Sequence, residues 1–310
     1  MTFGSWENVT CPICENVQDG KLFLTCSDRF HNPKLRKYNL RKCNGCGLIS
    51  LNPRPRCSDL DKHYCAEDYD PFLSIKQSRS VLDRIYSSSR SWTLKWKKNL
   101  VAKLAANRAK ILDVGCGTGE FLDRLAPDFA VEGTEPEPDA ARWAREKLGL
   151  KVHTGYLAEI SLEYEQFDLV TLWHVLEHIP DPVQELQIIN KILAQDGKLL
   201  IALPNIGSID AGIYKSCWIA LDAPRHLWHF TSKTLGALAQ KCGFSLVQTG
   251  MLPLDTFYNT LHSELLCIKT RGLTSLILAP LRMPIAVTAS LLSGVITGQH
   301  SGMYYIFQKS

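Results

Sequence analysis

The chain has 310 residues, 45% of them hydrophobic and 21% charged, with a formal net charge of +4. That composition excludes a chain disordered over most of its length, and the length suits one large α/β domain plus a small accessory module. The charge is too mild to argue for a nucleic-acid partner on its own.

Met1–Thr10 has neither the basic start nor the apolar run of a secretory signal, so the expected location is the cytoplasm. The eleven cysteines are then expected as reduced thiols or metal ligands, not as disulfides. Four of them form two pairs, Cys11-Pro12-Ile13-Cys14 and Cys43-Asn44-Gly45-Cys46. Each pair offers two thiolates from a tight turn, and tetrahedral zinc takes four. We therefore expect structural zinc on Cys11, Cys14, Cys43 and Cys46. Cys26 and His31 lie in the long gap between the pairs as substitute ligands, and ordinary thiols at a decayed site are the alternative. Four thiolates leave zinc no open position for catalysis, so its role is to hold a module that lacks a core of its own. A basic stretch, Lys34–Lys42, separates the pairs, and Asn52-Pro53-Arg54-Pro55-Arg56 reads as a boundary. The expected division is a zinc module at 1–58, a helical linker or cap at 59–108 and the main domain at 109–310. Apolar residues at Val81, Leu82, Ile85, Trp92, Trp96, Leu100 and Leu104 predict a helix over about 74–107.

From Lys110 the pattern alternates. Apolar runs at Ile111–Val114, Phe129–Thr134, Phe167–Leu172, Lys198–Leu203 and Phe244–Val247 predict strands. The segments Glu120–Leu125, Asp139–Leu148, Val183–Ala194 and Ser232–Cys242 predict helices. Such alternation implies right-handed crossovers and a mainly parallel, doubly wound α/β sheet.

The first strand runs into Asp113-Val114-Gly115-Cys116-Gly117-Thr118-Gly119. Glycines there permit positive φ angles and close approach of a ligand to the backbone, at the sheet end where such folds bind ligands. The spacing is not the G-x-G-x-x-G of a dinucleotide loop, and Asp113 would repel a pyrophosphate. It suits a cationic sulfonium and an amino group instead. Glu135 ends the next strand, placed to accept both ribose hydroxyls; capping of the helix after Pro136 and Pro138 is the parallel reading. Together Asp113 and Glu135 select S-adenosylmethionine.

Two clusters lie at the carboxyl ends of later strands: Trp173-His174-Val175-Leu176-Glu177-His178 and Pro224-Arg225-His226-Leu227-Trp228-His229. His178 and His226 are candidate general bases, with Glu177 beside them. His174, Glu177 and His178 would share a helix face if that segment were helical, which favours a transition metal over magnesium; capping and bracing of the loop is the plainer reading. Arg225 is read as an anchor for an acidic acceptor or as a loop salt bridge. Tyr214, Trp218 and Trp228 are read as stacking surfaces or as a lid's own core.

The tail, Leu273–Gly298, is apolar but broken by Pro280, Arg282 and Pro284. It reads as buried or membrane-surface helices within an apolar helical insertion at about 259–300, rather than as a spanning helix. Met303–Gln308 reads as a closing strand.

Leu112–Gly119, Glu135, Phe167–Val170 and Leu176–Ile179 resemble the class I S-adenosylmethionine-dependent methyltransferases, over about Ala109–Thr249. The entry Cys43–Pro55, with Tyr64 and Tyr69-Asp70 after it, resembles a bacterial subgroup with an N-terminal zinc module. Members of that subgroup carry labels of ubiquinone-type O-methylation or sit in polysaccharide pathways. The resemblance implies a seven-stranded Rossmann-like sheet. It implies cofactor contacts at Asp113, Gly115, Cys116, Gly117, Gly119, Glu135, Pro136, Trp173 and His174, with Tyr156 and Leu157 flanking adenine. Some relatives hold a divalent ion on Glu-x-x-Glu-His, where this chain has His174 first. The expected reaction is O- or N-methylation of a small molecule or of a lipid- or sugar-linked intermediate. The basic helix Lys95–Lys110 and the apolar tail add a peripheral contact at the inner face of the membrane. The competing readings are an RNA or DNA base methyltransferase that uses Arg29–Lys42 as its handle, and a non-catalytic binding protein. Nucleic acid is disfavoured, because no Asn/Asp-Pro-Pro-aromatic clamp follows the fourth strand.

Overall fold

A computed structural model of the chain describes residues 5–15, 20–30, 37–63 and 81–310. The expected residues His31, Tyr64, Tyr69 and Asp70, and the start of the predicted linker helix, lie outside the described residues. The helix itself, α1, is Val81–Leu104. Its Leu100 and Val101 pack with Ile111, Phe121 and Leu169 on one face of the main sheet.

That sheet contains β6 (Lys110–Val114), β7 (Ala130–Glu135), β8 (Lys151–Thr154), β9 (Phe167–Trp173), β10 (Leu193–Pro204), β12 (Phe244–Met251) and β13 (Gly302–Lys309), in the order β12-β13-β10-β9-β6-β7-β8. Neighbours from β10 to β8 are parallel, and β13 runs antiparallel between β10 and β12. The central strands are covered on both faces, so they read as unbroken apolar runs and were easy to predict. β8 has one apolar residue, Val152, in its four and left no such run. β10 begins five residues before the predicted Lys198, directly after its preceding helix, with an irregular register between Leu193 and Lys198. The crossover helices are α2 (Glu120–Leu125), α3 (Pro138–Leu148), α4 (Pro182–Ile192) and α6 (Ser232–Lys241), with α5 (Ile209–Tyr214) after β10. Pro182 at the first turn of α4 and Asp181 accepting from Val183 and Gln184 N–H start that helix.

The N-terminal residues form β1 (Trp6–Glu7) paired with β5 (Arg54–Pro55), and β2 (Lys21–Ser27), β3 (Lys37–Lys42) and β4 (Ile49–Leu51) in one sheet. That sheet is completed by β11 (Trp228–His229) from the main domain, through Trp228↔Ser50 and His229↔Ile49. Leu51 N–H donates to Leu227 O at 2.9 Å, and the Arg54 guanidinium to Pro180 O at 2.9 Å. Tyr38, Leu40, Leu48 and Leu51 join the same core as Leu172 and Trp218. The module therefore shares a core with β9 and the 209–229 segment, across the boundary expected at residue 58.

Between β12 and β13 stand two long helices, α7 (Asp255–Arg271) and α8 (Leu273–Thr297), joined at Gly272 with φ of 70°. The helical insertion starts at Asp255 rather than 259. Pro280 and Pro284 do not interrupt α8, and both lie on its exposed side. Contacts of Arg282 with Glu264, and of Ser290 with Asp210 at 2.9 Å, hold its inner side at and beyond them.

Candidate active site

The turn after β6 uses three left-handed glycines, Gly115, Gly117 and Gly119, with φ of 69°, 57° and 82°. It also uses their emptiness. A Cβ on Gly115 would lie 2.6 Å from a Val175 methyl, and one on Gly119 2.7 Å from Leu150. Gly115 and Cys116 N–H both donate to Thr134 O, at 2.8 and 3.0 Å, which ties the loop to β7. The Cys116 side chain points away from the loop, into a small core with Leu122 and Ala144. Burial lifts its thiol pKa well above the usual range. A ligand can therefore meet Cys116 through its main chain, not through its sulfur.

Glu135, at the end of β7, is buried. Its carboxylate accepts from Gly117 N–H at 2.8 Å and from Glu137 N–H at 2.9 Å. It thus joins the glycine loop to the start of α3 across Pro136. The cap of α3 is Glu137, which accepts from Asp139 N–H, so Glu135 does not serve as the helix cap. Gly155 N–H donates to Glu135 O at 3.0 Å, bringing Tyr156 and buried Leu157 to the same sheet end. Glu159 is turned back to accept from Tyr156 N–H at 3.1 Å.

Asp113 is buried and accepts from the Thr171 hydroxyl at 2.6 Å. Burial raises its pKa to about 7, against the pull of Thr171 and of the cationic Lys97. Lys97 reaches over from α1, 4.4 Å from the Trp173 ring centroid, and burial lowers its own pKa to about 8. Trp173 packs edge-on against Phe121 and Trp96, and its buried indole N–H has no partner among the described residues. Lys97 and Asp255 were missed in the sequence. Lys97 reads there as one of many lysines on a basic helix, and Asp255 belongs to no motif.

Beyond β9 the chain does not continue as an α-helix. His174 has φ of 58° and Leu176–His178 is a single 3-10 turn. His174, Glu177 and His178 therefore do not share the expected helix face. The His174 ring lies between Glu177, at 3.7 Å, and Asp255, at 3.6 Å. Burial disfavours its charged form, but the two carboxylates outweigh burial and raise its pKa. His178 instead meets His226 edge-to-face, with ring centroids 4.5 Å apart. Glu177 is 2% exposed, and neither carboxylate oxygen has a hydrogen-bond partner among the described residues. Burial works against its charge, yet the surrounding histidines hold its pKa down at about 2. One ligand atom each from Glu177, His178 and His226 lies within 4.8 Å of the others. His226 Nδ1 lies 2.8 Å from Ala220 O, a contact that needs a proton on Nδ1 and leaves Nε2 as an acceptor. His229, behind it, is buried with Nε2 unpartnered among the described residues, and burial pushes its pKa down to about 3.

Arg225 is not available to anchor an acceptor. It is 3% exposed and donates to Asp222, to Asp28 of β2's exit and to His63 O. Arg29 pairs with Asp222 at 2.8 Å, so this member of the Arg29–Lys42 patch is turned inward. Tyr214, Trp218 and Trp228 are buried, and form the core of the 209–229 segment instead of a stacking surface.

At the far end of the module, Cys11 Sγ lies 3.4 Å from Cys46 Sγ, and Cys14 Sγ 3.4 Å from Cys43 Sγ; all four lie within 4.8 Å of one another. Cys26 is buried elsewhere, in the core beneath β2.

Comparison with known proteins follows this geometry. A family model described as a methyltransferase domain matches residues 90–249, more than half of the chain. Among curated relatives, a ubiquinone biosynthesis O-methyltransferase of Haemophilus ducreyi is 34% identical over 108 residues, 31% of this chain and 45% of that protein. One of Xanthomonas axonopodis pv. citri is 33% identical over 111 residues, 34% of this chain and 46% of that protein. The chain thus spans about half the length of the curated relatives it matches. A solved structure of Haemonchus contortus phosphoethanolamine N-methyltransferase 2 with S-adenosyl-L-methionine is 18% identical, with a TM-score of 0.48, covering 69% of this chain and 52% of that one. By its matched domain and its doubly wound sheet, the chain belongs to the methyltransferase-domain family and is of the S-adenosylmethionine-dependent methyltransferase class.

Proposed function

We propose that this protein transfers the methyl group of S-adenosylmethionine to an oxygen, or a nitrogen, of a small molecule or of a lipid- or sugar-linked intermediate. Glu177 carries the reading. A buried carboxylate that accepts no hydrogen bond among the described residues, with the His174 ring still 3.7 Å from one oxygen, is costly unless something bound to the protein completes its partners. It faces His178 and His226 beside the end of β9, the edge of the sheet on which the glycine loop also opens.

When bound, S-adenosylmethionine supplies an activated methyl group, and positioning of the acceptor then does most of the work. On the donor side, the Gly115–Gly119 turn gives backbone room that a Cβ would fill, and Asp113 offers negative charge toward a sulfonium or amino group. Glu135, fixed by the two N–H groups it accepts, stands at the strand end where a carboxylate can take ribose hydroxyls. On the acceptor side, His226 Nε2 is the base, held in that tautomer by Ala220 O, and Glu177 favours the imidazolium that forms. The closeness of Glu177, His178 and His226 supports a second reading, in which they hold a transition metal that lowers the acceptor's pKa.

The four clustered thiols fit a tetrahedral structural zinc on Cys11, Cys14, Cys43 and Cys46, whose role is to hold the module against the loop that carries His226. Incubation of the protein and labelled cofactor with fractionated host extract tests the function. Label in small-molecule, lipid or saccharide fractions supports the reading. Label in RNA, with strongly salt-dependent binding, overturns it.

A further inference from the structure

The α7–α8 hairpin is built inside out. Its inner face is small and polar: Asn259, Thr260, Ser263 and Glu264 on α7, and Ser275, Ala286, Ser290 and Gly294 on α8, are buried. These residues are bonded to the domain. Glu264 accepts from the Tyr214 hydroxyl at 3.1 Å and from Arg282, the Ser263 hydroxyl accepts from Ile219 N–H at 2.8 Å, and Ser290 donates to Asp210. The outer face is apolar and open. Phe257, Leu261 and Leu265 follow one another at helical spacing on α7, and on α8 Val295 and Ile296 are each 82% exposed.

Placed at 100° per residue, the exposed positions of α8 from Leu273 to Ile296 cover an arc of roughly 200°, about twice the stripe that a helix presents to a packed protein core. A fluid apolar phase covers such an arc, whereas a rigid partner groove covers little more than half of it. Helix α8 has the length and mean hydropathy to cross a membrane, yet only 17% of its most apolar window is buried. Its mid-helix bond to Asp210 keeps it lying along the domain instead of standing across a bilayer. The exposed ionic residues from 255 to 300 are Lys269 and Arg271, both cations at the hairpin's turn. Arg282 is neutralised by Glu264.

We propose that this face docks onto a bilayer carrying anionic headgroups, with Lys269 and Arg271 meeting the headgroups and the outer sides of α7 and α8 entering the interface. The proposal rests on the methyltransferase reading only for what the docking achieves. α7 begins at Asp255 beside His174, and its inner face packs on the 214–222 segment that leads to His226. Docking therefore sets the acceptor side of the cleft at the lipid surface.

The test is flotation of the purified full chain with vesicles of phosphatidylethanolamine and phosphatidylglycerol, and with phosphatidylcholine alone, alongside I277E/L281E and K269E/R271E. Both replaced pairs are exposed, and K269E gives up one surface hydrogen bond, from Nζ to Arg29 O at 3.2 Å, so neither should unfold the chain. The chain should float with the anionic vesicles. I277E/L281E should lower the bound fraction at least about tenfold, and K269E/R271E should remove the preference for anionic lipid. The proposal is overturned if the chain floats with neither vesicle, or if I277E/L281E floats equally well. It is also overturned if sedimentation without lipid shows a dimer that I277E/L281E dissociates, since the face then belongs to a second copy. Calorimetry with S-adenosylhomocysteine on the same samples separates the two readings. Cofactor binding without flotation refutes docking alone, whereas loss of cofactor binding counts against methyl transfer.

Discussion

Replacement of Arg225 by methionine tests how the N-terminal module is joined to the loop that carries His226. Methionine keeps most of the apolar stem but removes donors that reach Asp28 at 2.8 Å, Asp222 at 3.1 Å through Nε and His63 O at 3.1 Å. Asp222 keeps Arg29 as a partner at 2.8 Å. Asp28, equally buried, keeps a hydrogen bond from Phe30 N–H at 3.0 Å. Removing one partner from a buried ion-pair network typically costs about 3–5 kcal/mol. The retained Arg29 contact argues for the lower end of that range, about 3 kcal/mol. That is a large part of a total stability of roughly 5–15 kcal/mol. Urea unfolding followed by far-ultraviolet circular dichroism and tryptophan fluorescence should show the loss. Hydrogen exchange should quicken at Leu227, whose N–H donates to Glu177 O at 2.8 Å. In a double-mutant cycle with Asp28→Asn, the two effects should be non-additive by about 1–3 kcal/mol. A loss below about 1 kcal/mol, or simple additivity, would refute the claim that Arg225 bridges the two parts through a desolvated network.

Four shorter predictions accompany it. Gly115→Ala should weaken S-adenosylhomocysteine binding about tenfold or more by calorimetry, because its Cβ meets Val175 at 2.6 Å in a left-handed turn; Val175→Ala in the same chain should recover part of the loss. Glu177→Gln should lower single-turnover methyl transfer by about 100-fold while leaving cofactor affinity near the starting value, and equal losses in both would place Glu177 in the cofactor site instead. Glu185→Gln should stabilise the fold at pH 8 by about 1–3 kcal/mol and hardly at all at pH 4. Burial raises the folded pKa of Glu185 from 4.5 to about 7, so the wild-type chain loses stability as pH rises through that window, where the unfolded carboxyl ionises first; equal effects at both pH values would contradict this. Metal analysis of protein purified without chelator should find one zinc per chain, and Cys43→Ser should abolish it and lower the melting temperature; zinc retained in the variant would exclude the four-thiolate set.

Much of this protein was settled by sequence alone, wherever the signal is local. The central strands β6, β9 and β10 are apolar runs because both faces of the sheet are covered. The glycines at 115, 117 and 119 announce left-handed backbone, and two C-x-x-C pairs announce four convergent thiols. β8 escaped as an apolar run because a short strand with one apolar residue has no periodicity to read. What only the tertiary structure decided involves partners far apart in the chain. Arg225 meets Asp28 across 197 residues, and that contact decides for its salt-bridge reading over the substrate anchor. Glu177 comes within 4.8 Å of His226 because the chain beyond β9 makes a single 3-10 turn in place of a helix, with His174 and His178 still beside it. The tail was apolar by composition. Which side of it faces the domain depends on Asp210, Tyr214 and Glu264 satisfying the hydrogen bonds of its polar residues, so that the apolar side was left for the solvent or a bilayer to cover.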